Sequence, residues 1–322
     1  MYLNRYIKFN SILPGGLGHV MCDYLTSYIL SKIFNLKFIH TSLIVGIQHR
    51  NMNIVLDKDI LFWNKYLNLE YLNKNTLPNN CKIKKIQGIG YKGMSIDEWT
   101  KLLNLTNEDN ICISIINPQP RLYLLDLYNM EEKNLVKKGL TKTIINDLRK
   151  AFFKKHKKCK QEYFVINIYI RLGDLARNTG PYKKFKEINF EFNILKYISK
   201  LFNDNNTYKI NIISAGTNKQ MNNVKNKFGI FKNVNFMLNL KQDIVFLEMV
   251  NSDMLIYNVS SFPFIASLYC DGVIISSKNN KYMSSQYFYK DEKFLDNYIL
   301  IKDSDTDKLY KFINKDIIFR CS

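Results

Sequence analysis

The spacing of apolar residues changes repeatedly along this chain, and each change marks an element. Over residues 6–12 apolar and polar positions alternate well enough for a strand, and Pro14 to Gly18 then interrupt the pattern. Met21, Tyr24, Leu25, Tyr28, Ile29 and Ile33 follow at helical spacing, and residues 38–41 read as a second strand. This strand–loop–helix–strand opening predicts an α/β domain. Over residues 45–135 the periodicity is weak; residues 111–116 predict a strand, closed by Asn117-Pro118-Gln119-Pro120. Residues 141–153 predict a helix that ends in the basic run Lys154-Lys155-His156-Lys157-Lys158.

Beyond that run the pattern is more regular. Strands are predicted at 163–170, 208–213, 234–238, 254–257 and 273–275. Helices are predicted between them, on Phe190, Ile194, Tyr197, Ile198 and Leu201, then at 218–228, 243–250 and 262–269. Strands alternating with helices at short intervals call for a parallel sheet covered on both faces. We place a domain boundary at the basic run, giving an N-terminal α/β domain at 1–158 and a C-terminal one at 159–322.

Composition narrows the function classes. A length of 322 residues allows two cores of ordinary size, and 46% hydrophobic with 14% aromatic residues excludes a disordered chain. The formal net charge of +19 favours acidic ligands, among them nucleic acid, a sugar nucleotide, an acidic glycan or a membrane surface. The lysines are spread along the chain, with no zinc-finger spacing and no RNA-binding aromatic signature, so nucleic acid is not the expected partner. The basic run reads as a solvated helix end whose cations suit the helix dipole, in preference to an anion patch. There is no secretory signal and no uninterrupted apolar stretch of about 18 residues, so a cytoplasmic protein without a transmembrane segment is expected. Cys22, Cys81, Cys112, Cys159, Cys270 and Cys321 lack metal-ligand spacing and read as reduced thiols. Asp57-Lys58-Asp59 and Asp303-Ser304-Asp305 fit the short Asp-x-Asp pattern of metal-dependent sugar transfer, but lie away from the predicted strand ends and read as solvated turns.

In an open parallel sheet, ligands bind beyond the carboxyl ends of the strands. The strand at 163–170 leads into Arg171-Leu172-Gly173-Asp174, that at 208–213 into Ser214-Ala215-Gly216-Thr217, and that at 254–257 into Asn258-Val259-Ser260-Ser261-Phe262. A guanidinium chelates phosphate oxygens in a bidentate manner, and hydroxyls with helix N-termini favour anions, so these three ends together suit a pyrophosphate. The alternative for Ser260 or Ser261 is a helix cap and nothing more. A second anchor is Gly15-Gly16-Leu17-Gly18-His19, whose glycines let backbone approach a ligand. It has neither the Lys-Ser/Thr of a Walker loop nor the spacing of a dinucleotide fingerprint.

Taken in order, these blocks resemble the α-1,2-fucosyltransferase family and its α-1,6- and protein O-fucosyltransferase relatives. The family's Gly-Gly-x-Gly-Asn-Gln-Met loop is similar to Gly15-Gly16-Leu17-Gly18-His19-Val20-Met21, with Tyr24 also matching. Its His-x-Arg-Arg-Gly-Asp block is similar to residues 169–174, its Ser-Asp-Asp block to Ser214-Ala215-Gly216, and its Asn-Ser-Ser-Phe block to residues 258–262. The chain departs at His19, Tyr169, Leu172, Ala215 and Gly216, which leaves open another nucleotide-sugar donor, or a non-catalytic basic glycan- or nucleic-acid-binding protein.

The resemblance implies two Rossmann-like domains facing a cleft, of the GT-B type. It also implies inverting transfer of fucose from GDP-fucose to a glycan hydroxyl, without metal or any cofactor beyond the donor substrate. Arg171 keeps the family's phosphate ligand. Gly15, Gly16, Gly18, Ser214, Thr217, Ser260, Ser261 and Phe262 are the further donor-binding candidates, with the N-terminal domain on the acceptor side. The base is sought among Asp174 and His19, with Asp23 and Glu187 as outsiders, because it must reach the acceptor proton. The oligomeric state is left open.

Overall fold

The computed structural model describes residues 4–10, 16–43, 46–48, 54–56, 62–73, 75–87, 96–103, 110–116, 122, 124–158, 162–172, 188–201, 208–258, 260–277 and 297–301. The chain is α/β and forms two compact units, Met1–Lys157 and Lys158–Asn280 with Tyr287–Ser322. Each is built on a parallel sheet in the Rossmann manner.

The first unit runs β1 (Arg5–Asn10), α1 (Leu17–Ile33), β2 (Lys37–Ile39), β3 (Gly46–Gln48), β4 (Ile54–Leu56), α2 (Phe62–Leu67), a 3-10 turn (Leu69–Leu72), β5 (Lys82–Gln87), α3 (Ile96–Leu103), β6 (Ile111–Ile116), α4 (Leu124–Glu132) and α5 (Leu140–Phe153). Its sheet is parallel in the order β2-β1-β6-β5, with β3 and β4 as a separate antiparallel pair. Helix α1 is buried nearly all round, so it carries apolar residues on every face rather than on one stripe. Tyr24 from this helix meets Phe9 and Phe38 edge-on, at centroid distances of 6.4 and 5.3 Å. The start of α5 is held by the buried Glu131 carboxylate, which accepts from the Gly139 and Thr141 N–H groups at 2.8 and 2.5 Å and from the Thr141 hydroxyl at 2.6 Å.

The basic run after α5 joins elements together. Lys154 lies 4.5 Å over the Tyr71 ring, and Lys155 Nζ donates to the Lys65 carbonyl at 2.6 Å. A His156 ring nitrogen sits 2.7 Å from the Tyr66 carbonyl. Lys158 pairs with Asp271 at 2.7 Å inside the second unit. Lys154, Lys155 and His156 thus meet a ring and two carbonyls of α2 and the 3-10 turn, and Lys158 meets a carboxylate, so these four side chains are engaged within the chain.

The second unit runs β7 (Phe164–Arg171), α6 (Asn189–Leu201), β8 (Tyr208–Ala215), α7 (Asn218–Phe228), β9 (Val234–Leu238), α8 (Gln242–Val250), β10 (Met254–Tyr257), α9 (Ser261–Tyr269), β11 (Val273–Ser277) and β12 (Tyr298–Ile301). All six strands are parallel, in the order β12-β11-β10-β7-β8-β9. Alternation along each strand divides its residues between two layers. Ile166, Ile168, Ile170, Ile210, Ile212, Met254 and Ile256 pack with Phe190, Ile194 and Ile198 of α6 and Val224 and Phe228 of α7.

The opposite face carries a polar ladder. Asn167 and Asn211 are register partners, as are Asn211 and Asn235. Asn211 Nδ2 donates to Asn167 Oδ1 at 2.8 Å, and Asn235 Nδ2 to Asn211 Oδ1 at 3.1 Å. Asn167 Nδ2 continues to the Glu248 carbonyl of α8 at 2.7 Å and to Ser252 Oγ at 2.9 Å. Buried amides need such partners, and the ladder pins the register of three strands against α8.

Candidate functional site

From β7 the chain builds outward through β8 to β9, then returns to lay β10 on the other flank of β7 and continues to β12. The order thus reverses between β7 and β10, and the crevice beyond that pair is where open α/β sheets receive ligands. Arg171 is the last residue of β7 and is half-buried. It lies on the same face as Tyr169 and Asn167, away from the Ile166–Ile168–Ile170 core, because residues two apart on a strand share a face. Its cross-strand neighbour on β8 is Ala215, which brings neither charge nor bulk beside the guanidinium.

The other side of the reversal is the start of α9. Ser260 occupies the N-cap with extended backbone (φ −167°, ψ 142°) and is buried, yet its hydroxyl caps no backbone N–H. There is no acidic residue in the first turn. The first N–H groups of a helix are not used by its own ladder, and the third position here is Pro263, which has no N–H, so the donors of this turn come from Ser261 and Phe262. Phe262 is half-buried, with its ring 6.0 Å from those of Tyr169 and Phe246, so it packs β7 and α8 together. Asn258, just past β10, has a buried side-chain oxygen with no hydrogen-bond donor among the described residues, while its backbone carbonyl accepts from Ser276. An orphaned buried acceptor at a sheet's ligand end marks a position that a ligand donor would satisfy. The sequence block contained Asn258, but its polarity alone did not single it out.

The end of β8 is arranged differently. The ladder with β7 extends through Ser214 and Ala215, two residues further than the apolar pattern indicates. Ser214 is buried and its hydroxyl donates to the Ile170 carbonyl at 2.7 Å. Thr217 forms a capping box: its hydroxyl accepts from Gln220 N–H at 3.4 Å, and Gln220 Oε1 accepts from Thr217 N–H at 2.7 Å. Asn239, with a positive φ of 55°, bridges Gly216 by accepting from its N–H at 2.9 Å and donating to its carbonyl at 3.3 Å. A Cβ on Gly216 would stand 2.5 Å from Gln220 Oε1, so any larger residue displaces the capping amide. The polar groups of this end are engaged within the chain.

In the first unit the strand order also reverses, between β1 and β6. Gly16 is the N-cap of α1, exposed, with ordinary φ −58° and open space where a Cβ would go, and no acidic residue follows in the first turn. Neither strain nor packing among the described residues requires glycine there. Gly18 is buried and His19 half-buried in that first turn; the His19 N–H donates to the Gly16 carbonyl at 2.9 Å. His40, just past β2, pairs its Nδ1 with the Tyr24 hydroxyl at 3.0 Å, while Nε2 is buried with no partner among the described residues. Burial lowers its pKa, with Glu70 opposing, so the ring favours the neutral form. Sequence reading passed over His40 because a lone histidine carries no spacing signal.

Gly15, Asp174, Glu187, Asp57-Lys58-Asp59 and Asp303-Ser304-Asp305 lie outside the described residues. No group of three or more His, Cys, Asp or Glu side chains suited to a metal occurs among the described residues. Nor is any described helix long and apolar enough to cross a membrane. Burial raises the thiol pKa of Cys112 to about 11, with nearby Lys8 opposing and Cys81 adding, which keeps it protonated.

No family model matches the sequence, and no characterised protein matches it in sequence. Among solved structures, the chain is similar to an Arg-to-Lys mutant of Arabidopsis thaliana FUT1 in complex with GDP, at 11% identity and TM-score 0.44 over 84% of this chain and 69% of that one. It is also similar to a family 9 glycosyl transferase from Veillonella parvula, at 12% identity and TM-score 0.41 over 97% and 89%. POFUT1 in complex with GDP is similar at 11% identity and TM-score 0.43 over 84% and 96%.

Proposed function

We propose that the chain is a glycosyltransferase that draws its sugar from a nucleoside diphosphate donor held by the second unit. The donor we assign is GDP-fucose and the product an inverted glycoside of a glycan hydroxyl, with the first unit on the acceptor side. One observation carries the reading. Arg171 and the uncapped start of α9 belong to the two adjacent strands at which the order of the sheet reverses. The ordered set of motifs supports the choice of fucose.

In the reaction the bond between the sugar carbon and the β-phosphate oxygen breaks, and its electron pair stays on the diphosphate. Arg171 and the α9 first turn, with Ser260 and Ser261 as further donors, stabilise that growing charge without a metal. The acceptor oxygen attacks from the opposite face and gives its proton to a base, for which His19 and Asp174 are the candidates. The engaged polar groups of the β8 end, where Ala215 and Gly216 stand, favour a second reading in which another nucleotide sugar is the donor.

A thermal-shift panel of GDP, UDP and dTDP tests the function. Ligand at a hundredfold excess over Kd stabilises by about 2.7 kcal/mol, which raises Tm by several degrees in a domain of this size. GDP acting alone supports fucose transfer, UDP or dTDP supports the second reading, and silence from all three contradicts the assignment.

A further inference from the structure

We infer that the β9 edge of the second unit seats on the surface of an anionic lipid bilayer. Ile230 in the turn after α7, Leu240 in the turn after β9 and Ile244 in the first turn of α8 are 71%, 39% and 43% exposed. Six large hydrophobic side chains are exposed among the described residues, and these three fall between positions 230 and 244. Single exposed apolar residues are ordinary on a protein surface, whereas a group of them marks a contact. The three are strung along an edge. β9 ends the strand order of the sheet, and its five residues span about 17 Å, with Ile230 beyond one end and Leu240 beyond the other. Val234, Phe236, Met237 and Leu238 between them are half-buried, so apolar surface also shows along the strand. A row of this length, with aliphatic side chains at both ends, suits a flat partner better than a small ligand.

Charge chooses the partner. Residues 205–242 contain no Asp or Glu, and Lys209, Lys219, Lys225, Lys227, Lys232 and Lys241 place six cations there. Lys227 is held by the Asn189 side chain and the Phe192 ring, while the other five are exposed. Lys232 lies two residues from Ile230, and Lys241 stands next to Leu240 and three residues before Ile244. The acids that follow on α8, Asp243 and Glu248, are both half-buried. Lysines close to an anionic leaflet are attracted to its headgroups, and aliphatic side chains beside them enter the boundary between headgroups and acyl chains. A single-stranded nucleic acid would instead call for exposed rings and arginines on which bases stack. Residues 205–242 hold no Arg, and their rings, Tyr208, Phe228, Phe231 and Phe236, are buried or half-buried. Exposed Ile and Leu gain nothing from a phosphate backbone, but they do gain from leaving water for lipid.

Flotation of the full chain with vesicles tests this surface. Vesicles of phosphatidylcholine alone are compared with vesicles in which about a third of the lipid is phosphatidylglycerol. The expected result is partition into the anionic vesicles at least about tenfold stronger than into the neutral ones, weakened by added salt. Two variants should each lose about tenfold or more of that partition: Ile230→Ser with Leu240→Ser and Ile244→Ser, and Lys219→Gln with Lys225→Gln and Lys241→Gln. All five exposed lysines and the three aliphatic residues stand off the core, so melting serves as a folding control for both. A third variant, Lys137→Gln with Lys138→Gln and Lys142→Gln, removes the same charge from the first unit and should stay within about threefold of the native chain. Equal loss in that third variant would reduce the binding to net charge and overturn the inference. Full retention by the aliphatic variant overturns it too, since the contact would then be electrostatic alone. Failure to bind anionic vesicles overturns it as well, and uptake of a poly-uridine oligonucleotide by the same chain would then make the lysines a nucleic-acid surface.

Discussion

Two strand-to-helix junctions of the second unit lie on either side of β7 and treat their helix starts in opposite ways. At β8–α7, Thr217 and Gln220 take up each other's backbone groups and Asn239 closes the preceding glycine. At β10–α9, the N-cap is also a serine-class residue, Ser260, but its hydroxyl makes no cap bond, and Asn258 nearby keeps a buried oxygen without a donor among the described residues. The first junction is finished by the fold. The second leaves the Ser260 hydroxyl without a cap bond and the Asn258 oxygen unpaired among the described residues, and it stands beside the strand that ends in Arg171. A junction satisfied internally contributes stability; one left unsatisfied lowers stability and is a place for ligand.

The largest expected effect comes from the guanidinium. Arg171→Ala should reduce sugar transfer by about a hundredfold or more, the scale for removing one charge-stabilising group from a transition state. Its melting should change little, because Arg171 lies off the hydrophobic core. Arg171→Lys should recover only part of the loss, since the bidentate fork is gone. Transfer kinetics with melting as a control check both.

The next pair inverts across the two junctions. Thr217→Ala should cost about 1 kcal/mol of stability, the usual worth of an N-cap, and leave nucleotide affinity unchanged. Ser260→Ala should leave stability nearly unchanged and weaken nucleotide binding by roughly three- to tenfold, the worth of one neutral hydrogen bond. Denaturation and titration on the same samples would break the comparison if the two variants behaved alike. Gly216→Ala should resemble Thr217→Ala, because the added methyl displaces Gln220 from the capping box.

The smallest effect belongs to the first unit and serves as a control. Burial lowers the pKa of His40, so the unfolded chain binds that proton more readily. The contribution is fully present above the ordinary histidine value of 6.5 and is lost as pH falls below it, toward the lowered folded value. Denaturation from pH 7.5 down to 5 should show stability falling below pH 6.5, and His40→Gln should flatten that part of the profile.

Much of the second unit's sheet was legible because its inner strands are nearly unbroken apolar runs, as in Ile166–Ile170 and Met254–Tyr257, buried on both faces. Of the edge strands, β2 and β9 were legible too, but β5 and β12 were not. β5 reads Lys-Ile-Lys-Lys-Ile-Gln, with Ile83 48% exposed, so its composition resembles a loop although it pairs with β6 along its whole length. β12 is short and passed unread. At the site, the rule that ligands lie beyond strand ends pointed to Arg171, Ser214, Thr217 and Ser260 equally. The difference between them depends on Asn239, which is distant in sequence and reaches Gly216 only in the folded chain. The Thr217-x-x-Gln220 spacing is itself a capping signal, and would have separated α7 from α9 in advance.

In the proposed reaction Arg171 meets the β-phosphate of a nucleotide. Titrating the native chain and Arg171→Ala with GDP and with GMP tests this most directly. The native chain should bind GDP more than tenfold tighter than GMP, the scale of one charge-assisted contact, and the gap should close in Arg171→Ala. A gap of the same size in the variant would contradict it.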